Sequence, residues 1–158
     1  MLQRERDRPL VYLAGPLFSE AELEFNARLA HSLEVSVDVY LPQRDGSKYV
    51  ELASLGISPG AAARTIFDRD VAAIREASAL ILVMDGRVVD EGAAFELGLA
   101  YALGKVCVGL QTDPRRLLPL GNNPMIEIPL QAIFETRSEI EIWARRFAAA
   151  HRVASDGQ

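Results

Sequence analysis

The sequence predicts a single α/β domain built on a parallel sheet. Short apolar runs alternate along the chain with longer stretches of helical period, which is how strand–helix–strand units read. The run Leu80-Ile81-Leu82-Val83-Met84 is apolar throughout, as a central strand covered on both faces should be. The 158 residues contain no repeat, low-complexity tract or linker, and that length suits one domain, 1–158, rather than two.

Each element follows in order. Leu10 to Ala14 is a buried-type strand stopped by Gly15-Pro16. A helix starts at Ser19, where Glu22 completes a capping box, and Phe25, Leu29 and Leu33 recur on its inner face. Val35 to Leu41 holds a second strand, ended by Pro42. Residues 42–60 lack periodicity and read as a long loop, a feature that is often functional. A helix from about Ala61 to Glu76 carries Phe67, Val71 and Ile74 on one stripe, and the central strand follows. After a polar loop, Gly92 to Leu103 is helical, with Gly104 and Lys105 as C-terminal signals. Val106 to Leu110 is the next strand, and residues 111–129, with four prolines, read as irregular. A short strand at Ile133-Phe134 and a helix from Ser138 to Ala150, with Ile140, Trp143 and Phe147 facing inward, complete about five strands. Residues 1–8 and 152–158 are expected to be flexible ends. Right-handed crossovers make such a sheet parallel, and ligands then sit beyond the carboxyl ends of its strands.

Composition narrows the function. The net charge of −5 argues against non-specific binding to nucleic acid or anionic membranes. No run approaches the length of a membrane span, and the charged first eight residues do not read as a signal peptide, so the expected location is cytoplasmic. One cysteine, Cys107, excludes an intrachain disulfide or a multi-thiolate metal site, and two histidines, His31 and His151, make a His-rich site unexpected. Cys107 reads as a small core residue and His31 as structural or exposed.

Four side chains could carry chemistry. Glu96 is the only charge between Gly92 and Leu103 and shares a face with Leu99 and Leu103; a lone carboxylate there is costly unless it is bound or working, the alternative being a first-turn Glu favoured by the helix dipole. Asp90 sits six residues earlier, where it either serves in catalysis or N-caps the helix, the latter being favoured by spacing alone. Asp70 interrupts the stripe of Phe67, Val71 and Ile74, either as a working carboxylate or as a helix-edge partner of Arg69 or Arg75. Tyr12 could aim its phenol at the carboxyl edge of the sheet or be an ordinary strand aromatic. Gly15-Pro16 either lets a ligand approach the backbone or makes a plain turn. No G-x-G-x-x-G or G-x-x-x-x-G-K-[ST] phosphate loop is present, and the turn after Gly15 is acidic.

Three segments, Val11-Tyr12-Leu13-Ala14-Gly15-Pro16-Leu17-Phe18, Asp70-Val71-Ala72-Ala73-Ile74, and Asp90-Glu91-Gly92-Ala93-Ala94-Phe95-Glu96-Leu97-Gly98-Leu99-Ala100-Tyr101-Ala102, together resemble the nucleoside 2-deoxyribosyltransferase family. The resemblance implies a flavodoxin-like, doubly wound sheet and transfer of 2-deoxyribose between nucleobases through a covalent deoxyribosyl–enzyme ester. It makes Glu96 the nucleophile, Tyr12 the phenol that positions it, Asp90 the acid for the departing base, and Asp70 a further substrate carboxylate. Gly15, Phe18 and Gln43 fall at substrate-binding positions. Asn123 resembles an asparagine lent by a neighbouring subunit, which implies a homo-oligomer, dimer-based and in this family often a hexamer. The partners so implied are deoxyribonucleosides and nucleobases, with no metal and no cofactor. A related 2′-deoxynucleoside 5′-monophosphate N-glycosidase, and a non-catalytic nucleotide-sensing module, are the competing readings; the acidic turn and Asp90 favour the transferase.

Overall fold

Five parallel strands form one sheet in the computed structural model, which describes residues 8–115 and 121–156. They are β1 (Leu10–Ala14), β2 (Asp38–Tyr40), β3 (Ala79–Val83), β4 (Val106–Leu110) and β5 (Ile133–Phe134), ordered β2-β1-β3-β4-β5. This is the flavodoxin-like order, and its reversal between β1 and β3 opens a crevice at the carboxyl ends of those strands. The helices are α1 (Glu20–Leu33), α2 (Pro42–Asp45), α3 (Tyr49–Ser54), α4 (Pro59–Glu76), α5 (Glu91–Ala102), α6 (Pro124–Glu127) and α7 (Arg137–Asp156). Among the described residues no helix is long and apolar enough to cross a membrane.

Strand alternation divides the core in two. Val11, Leu13, Ile81, Val83 and Val108 pack under α1 and α7 with Leu29, Leu33, Ile140 and Ala144. Leu10, Tyr12, Leu80, Leu82 and Cys107 pack under α4 and α5 with Ile74, Ala93 and Leu97. Gly15 ends β1 where a Cβ would stand 2.9 Å from the Cβ of Val83, so the close approach of β1 to β3 requires the glycine there.

Several boundaries differ from the sequence reading for local reasons. β2 begins only at Asp38 because the amides of Ser36 and Val37 still bond back to the Leu33 carbonyl at the end of α1. The 42–60 stretch contains α2 and α3 and the first residues of α4, helices of four and six residues that are too short to show a period. Pro42, Pro59 and Pro124 each stand in the first turn of a helix, where a proline costs no hydrogen bond. Thus part of the irregular 111–129 stretch is α6. Helix α7 continues past Ala150 to Asp156, so residues 152–156, expected within a flexible end, are helical. Arg8, expected in the other flexible end, bonds the Asp38 carboxylate and the Glu34 carbonyl. The remaining terminal positions lie outside the described residues. The capping box of α1 is present as read, with Ser19 accepting from the Glu22 amide and Glu22 from the Ser19 amide.

Candidate active site

β1 and β2 set two phenols side by side. Tyr12 and Tyr40 are register partners, so both point to the α4/α5 face. Their rings stack with centroids 5.3 Å apart and planes 18° from parallel. Opposite them, two helices deliver carboxylates. The Asp90 side chain caps α5 by accepting from the Ala93 amide at 2.9 Å, which fixes where that helix begins. Glu96 then lies almost two turns in, and the Tyr12 hydroxyl donates to its Oε1 at 2.5 Å. From α4, Asp70 Oδ1 accepts from the Tyr40 hydroxyl at 2.9 Å. The result is two phenol–carboxylate pairs joined by a ring stack.

Burial dominates the electrostatics. It pushes the Glu96 carboxyl up to about 7; the charges of Asp70 and Asp90 add to this and the Tyr12 hydrogen bond opposes it. Burial also raises Asp70, against the Tyr40 hydrogen bond and the Arg69 charge, which lower it. Tyr12 and Tyr40 are both held well above the ordinary phenol range, first by burial and then by the carboxylates they serve. Both therefore remain neutral donors. Glu96 and Asp70 line a groove of about 380 Å³ between α4 and α5. Its other walls are mostly apolar, from Ile66, Phe67, Val71 and Phe95, with Tyr49 of α3 at one side. An apolar groove with a few convergent polar groups is the usual form of a small-molecule site. A wider hollow of about 640 Å³ runs along the β2 edge, but Arg8 and Asp38 there are paired with each other. Among the described residues no group of three or more His, Cys, Asp or Glu side chains is gathered as a metal site would need.

A carboxylate with a titration point near neutrality, oriented by a phenol and open to an apolar groove, can act as a nucleophile toward an electrophilic carbon. The profile of the nucleoside 2-deoxyribosyltransferase family matches residues 11–152. The chain belongs to this family. Family membership makes it a nucleoside-processing enzyme. Three solved structures are similar to it. A 2-deoxyribosyltransferase from Bacillus psychrosaccharolyticus is 27% identical, with 84% of this chain and 90% of that one covered and a TM-score of 0.66. A conserved protein from Enterococcus faecalis V583 is 24% identical over 88% and 98% of the two chains, with a TM-score of 0.71. A 2-desoxiribosyltransferase from Leishmania mexicana is 20% identical over 87% and 97%, with a TM-score of 0.63. The last two matches speak to the fold alone. No curated protein matches the sequence.

Of the positions singled out from the sequence, the deoxyribosyltransferase fold brings Tyr12, Asp70 and Glu96 together and sets Asp90 near them as the helix cap. Asp70 turns to Tyr40 rather than outward along the helix edge. Phe67, expected on an inner stripe, is instead 46% exposed and forms a wall of the groove. Phe18 is 78% exposed beyond the end of β1. The Gln43 side chain is engaged with α1: it donates to the Leu23 carbonyl at 2.8 Å and accepts from Asn26 at 3.3 Å. Asn26 in turn donates to the Pro16 carbonyl at 2.7 Å, linking the turn after β1 to the start of α2. Asn123 caps α6 and lines a separate cavity of about 190 Å³ with Met84, Ala94 and Ile126. Tyr40, Tyr49 and Phe95 also belong to this site, without a local sequence signal that marks them. For Tyr40 a non-local signal exists: Pro9 and Val37, taken as the residues before their strands, put Tyr12 and Tyr40 at the same register.

Proposed function

We propose that this chain transfers 2-deoxyribose from one nucleobase to another through an ester on Glu96. The ionised Glu96 carboxylate attacks C1′ of the bound deoxynucleoside. The C1′–N bond breaks, its electron pair leaves with the base, and Asp90 delivers the proton that neutralises it. A second base then attacks C1′, the ester C–O bond breaks, Glu96 regains its charge, and the proton from the incoming base returns to Asp90. Two inversions give overall retention. The missing 2′-hydroxyl favours the cationic transition state, because no electron-withdrawing oxygen opposes the charge.

The observation that carries this reading is the 2.5 Å contact between the Tyr12 phenol and Glu96 at the wall of the groove. The phenol orients the carboxylate and stabilises its charge against burial. Asp70 faces the same groove and is suited to hold the sugar or the base. One Asp90 oxygen serves the cap, leaving the other for proton transfer. Phe18 and Gly15 belong to the turn on the base side, and Gln43 shapes that side through Asn26. Asn123 is exposed and lines a different cavity from Glu96, which fits a role toward a neighbouring subunit of a homo-oligomer.

The test is to mix thymidine or deoxyinosine with adenine, without phosphate, and follow products by chromatography. Deoxyadenosine is the expected product, and ribonucleosides should react hardly at all. Free base and deoxyribose alone would assign hydrolysis instead, and turnover confined to 5′-monophosphates would assign an N-glycosidase of nucleotides. Mass spectrometry of substrate-soaked protein should find the sugar adduct on Glu96.

A further inference from the structure

We propose that Tyr40 is a positioning residue of this site, its hydroxyl fixing Asp70 beside Glu96 and its ring backing Tyr12. The inference rests on the reading of Glu96 as the nucleophile, and it concerns a side chain that touches neither the reacting carbon nor the nucleophile. Tyr40 ends a three-residue edge strand, a position where the ring stack alone would be met by phenylalanine. The hydroxyl adds the 2.9 Å bond to Asp70, and Arg69 of the same helix interacts with the hydroxyl as well. Without the bond, the carboxyl of Asp70 would be free to rotate toward the Tyr12 phenol or toward Glu96. Two carboxylates in one groove would then share a donor or a proton, as closely spaced acids do. With it, each carboxylate has its own phenol. The stack at 5.3 Å sets the spacing of the two phenols, and so of the two acids.

The surroundings support a built arrangement. Asp70 is approached by Tyr40 from β2, Arg69 from its own helix, and Glu96 and Tyr12 across the groove. Gly46, at the end of α2, lies so near that a Cβ there would stand 3.4 Å from Asp70 Oδ1, which closes that side. Glu96 is approached by Tyr12, Asp70 and Asp90. Tyr40 thus joins a strand at the sheet edge to a carboxylate on α4 that acts electrostatically on the nucleophile of α5.

Tyr40→Phe keeps the ring and removes the hydroxyl; Tyr40→Leu removes both. Carboxylate titrations followed by carbon-13 NMR, with Asp70→Asn and Glu96→Gln to assign the signals, read the bond directly in the whole chain. In Tyr40→Phe the Asp70 midpoint should move up, having lost a donor to its charged form. The Glu96 midpoint should move down, because a more often neutral Asp70 opposes its ionisation less. A merely structural tyrosine would move neither. Turnover should fall about tenfold, the scale of a hydrogen bond to a charged group. Its acid limb should move to lower pH with the Glu96 midpoint, and the melting temperature should hold. Tyr40→Leu should lose more activity, since Tyr12 also loses its backing. Unchanged titrations and unchanged turnover in Tyr40→Phe overturn the inference. A wild-type chain with no deoxyribosyl chemistry would instead overturn the reading of Glu96, and the titrations would still decide on Tyr40.

Discussion

Under α1 and α7 the strands present Val11, Leu13, Val39, Ile81, Val83 and Val108, all apolar and all buried. Under α4 and α5 the same strands present Tyr12 and Tyr40, and the helices answer with Asp70 and Glu96. Neighbouring residues of one strand therefore serve opposite ends. Leu13 contributes only the removal of apolar surface from water. Tyr12 is buried with a polar atom that must be matched, and its match is a carboxylate whose own burial is unfavourable. One face is apolar throughout, whereas the other sets two carboxylates and two phenols beside its own apolar core of Leu80, Leu82, Ile74 and Leu97, at a cost in stability that the apolar packing of both faces offsets.

The largest effect expected from this division is on turnover. Glu96→Gln keeps the shape and the Tyr12 contact but removes the proposed nucleophile; activity should fall by roughly 10⁴-fold or more, as loss of a covalent group does. The same variant should melt no lower than wild type, because a buried carboxylate has been made neutral. A large loss of both activity and stability would merge the two faces into one. The mirror experiment is Leu13→Ala. It should cost roughly 3–5 kcal/mol, as a fully buried leucine does, and lower the melting point by roughly 6–20 °C. Below its melting range the variant should turn over substrate with an unchanged pH profile, measured by the same chromatographic assay.

The same division explains what the sequence could tell. The apolar face and the central strand were legible because Leu80 to Met84 is uniformly apolar and Leu29 and Leu33 keep helical spacing. Glu96 was legible because a lone charge in Gly92–Leu103 violates the pattern of its helix. Tyr40 violates nothing: a tyrosine in a strand is ordinary, and its meaning comes from the register with Tyr12, which is a non-local fact. Helices α2 and α3 escaped because four and six residues do not complete the turns that a period needs. Asp90 is the cap that spacing alone favours, since Asp before an apolar helix satisfies the free amides of its first turn.

Next in size is a dependence on pH in which stability and activity move in opposite directions. The Glu96 carboxyl has its midpoint raised from the ordinary 4.5 to about 7 in the folded chain. Between those values the unfolded chain releases the proton while the folded chain keeps it. The stability that the protonated form supplies is full below about pH 4.5 and is lost as pH rises through 7, by up to roughly 3 kcal/mol. In the proposed mechanism turnover needs the ionised form and should rise over the same range. Denaturant melts of wild type and Glu96→Gln at pH 5, 6, 7 and 8 isolate this contribution. The difference between the two proteins should change by that amount, and a flat difference would place Glu96 in an ordinary solvated setting.

The smallest effect separates the two faces most finely, because it is made one residue away from Leu13. Tyr12→Phe keeps the ring against Tyr40 and removes only the donor to Glu96. The carboxylate loses the hydrogen bond that favoured its charge, so its midpoint should climb above that of wild type. Turnover at pH 7 should fall about tenfold, the scale of one hydrogen bond to a charged group, and the deficit should shrink above pH 8 as Glu96 ionises anyway. The melting point should move by only a few degrees, roughly the worth of 1 kcal/mol in a chain of this size, since the apolar contacts remain and a protonated Glu96 tolerates the missing donor better than a charged one. Leu13→Ala should show the reverse pattern, a large fall in melting temperature with the pH profile intact. If Tyr12→Phe instead melted like Leu13→Ala and kept the wild-type pH profile, the phenol would be packing material, one more member of the core under α4 and α5.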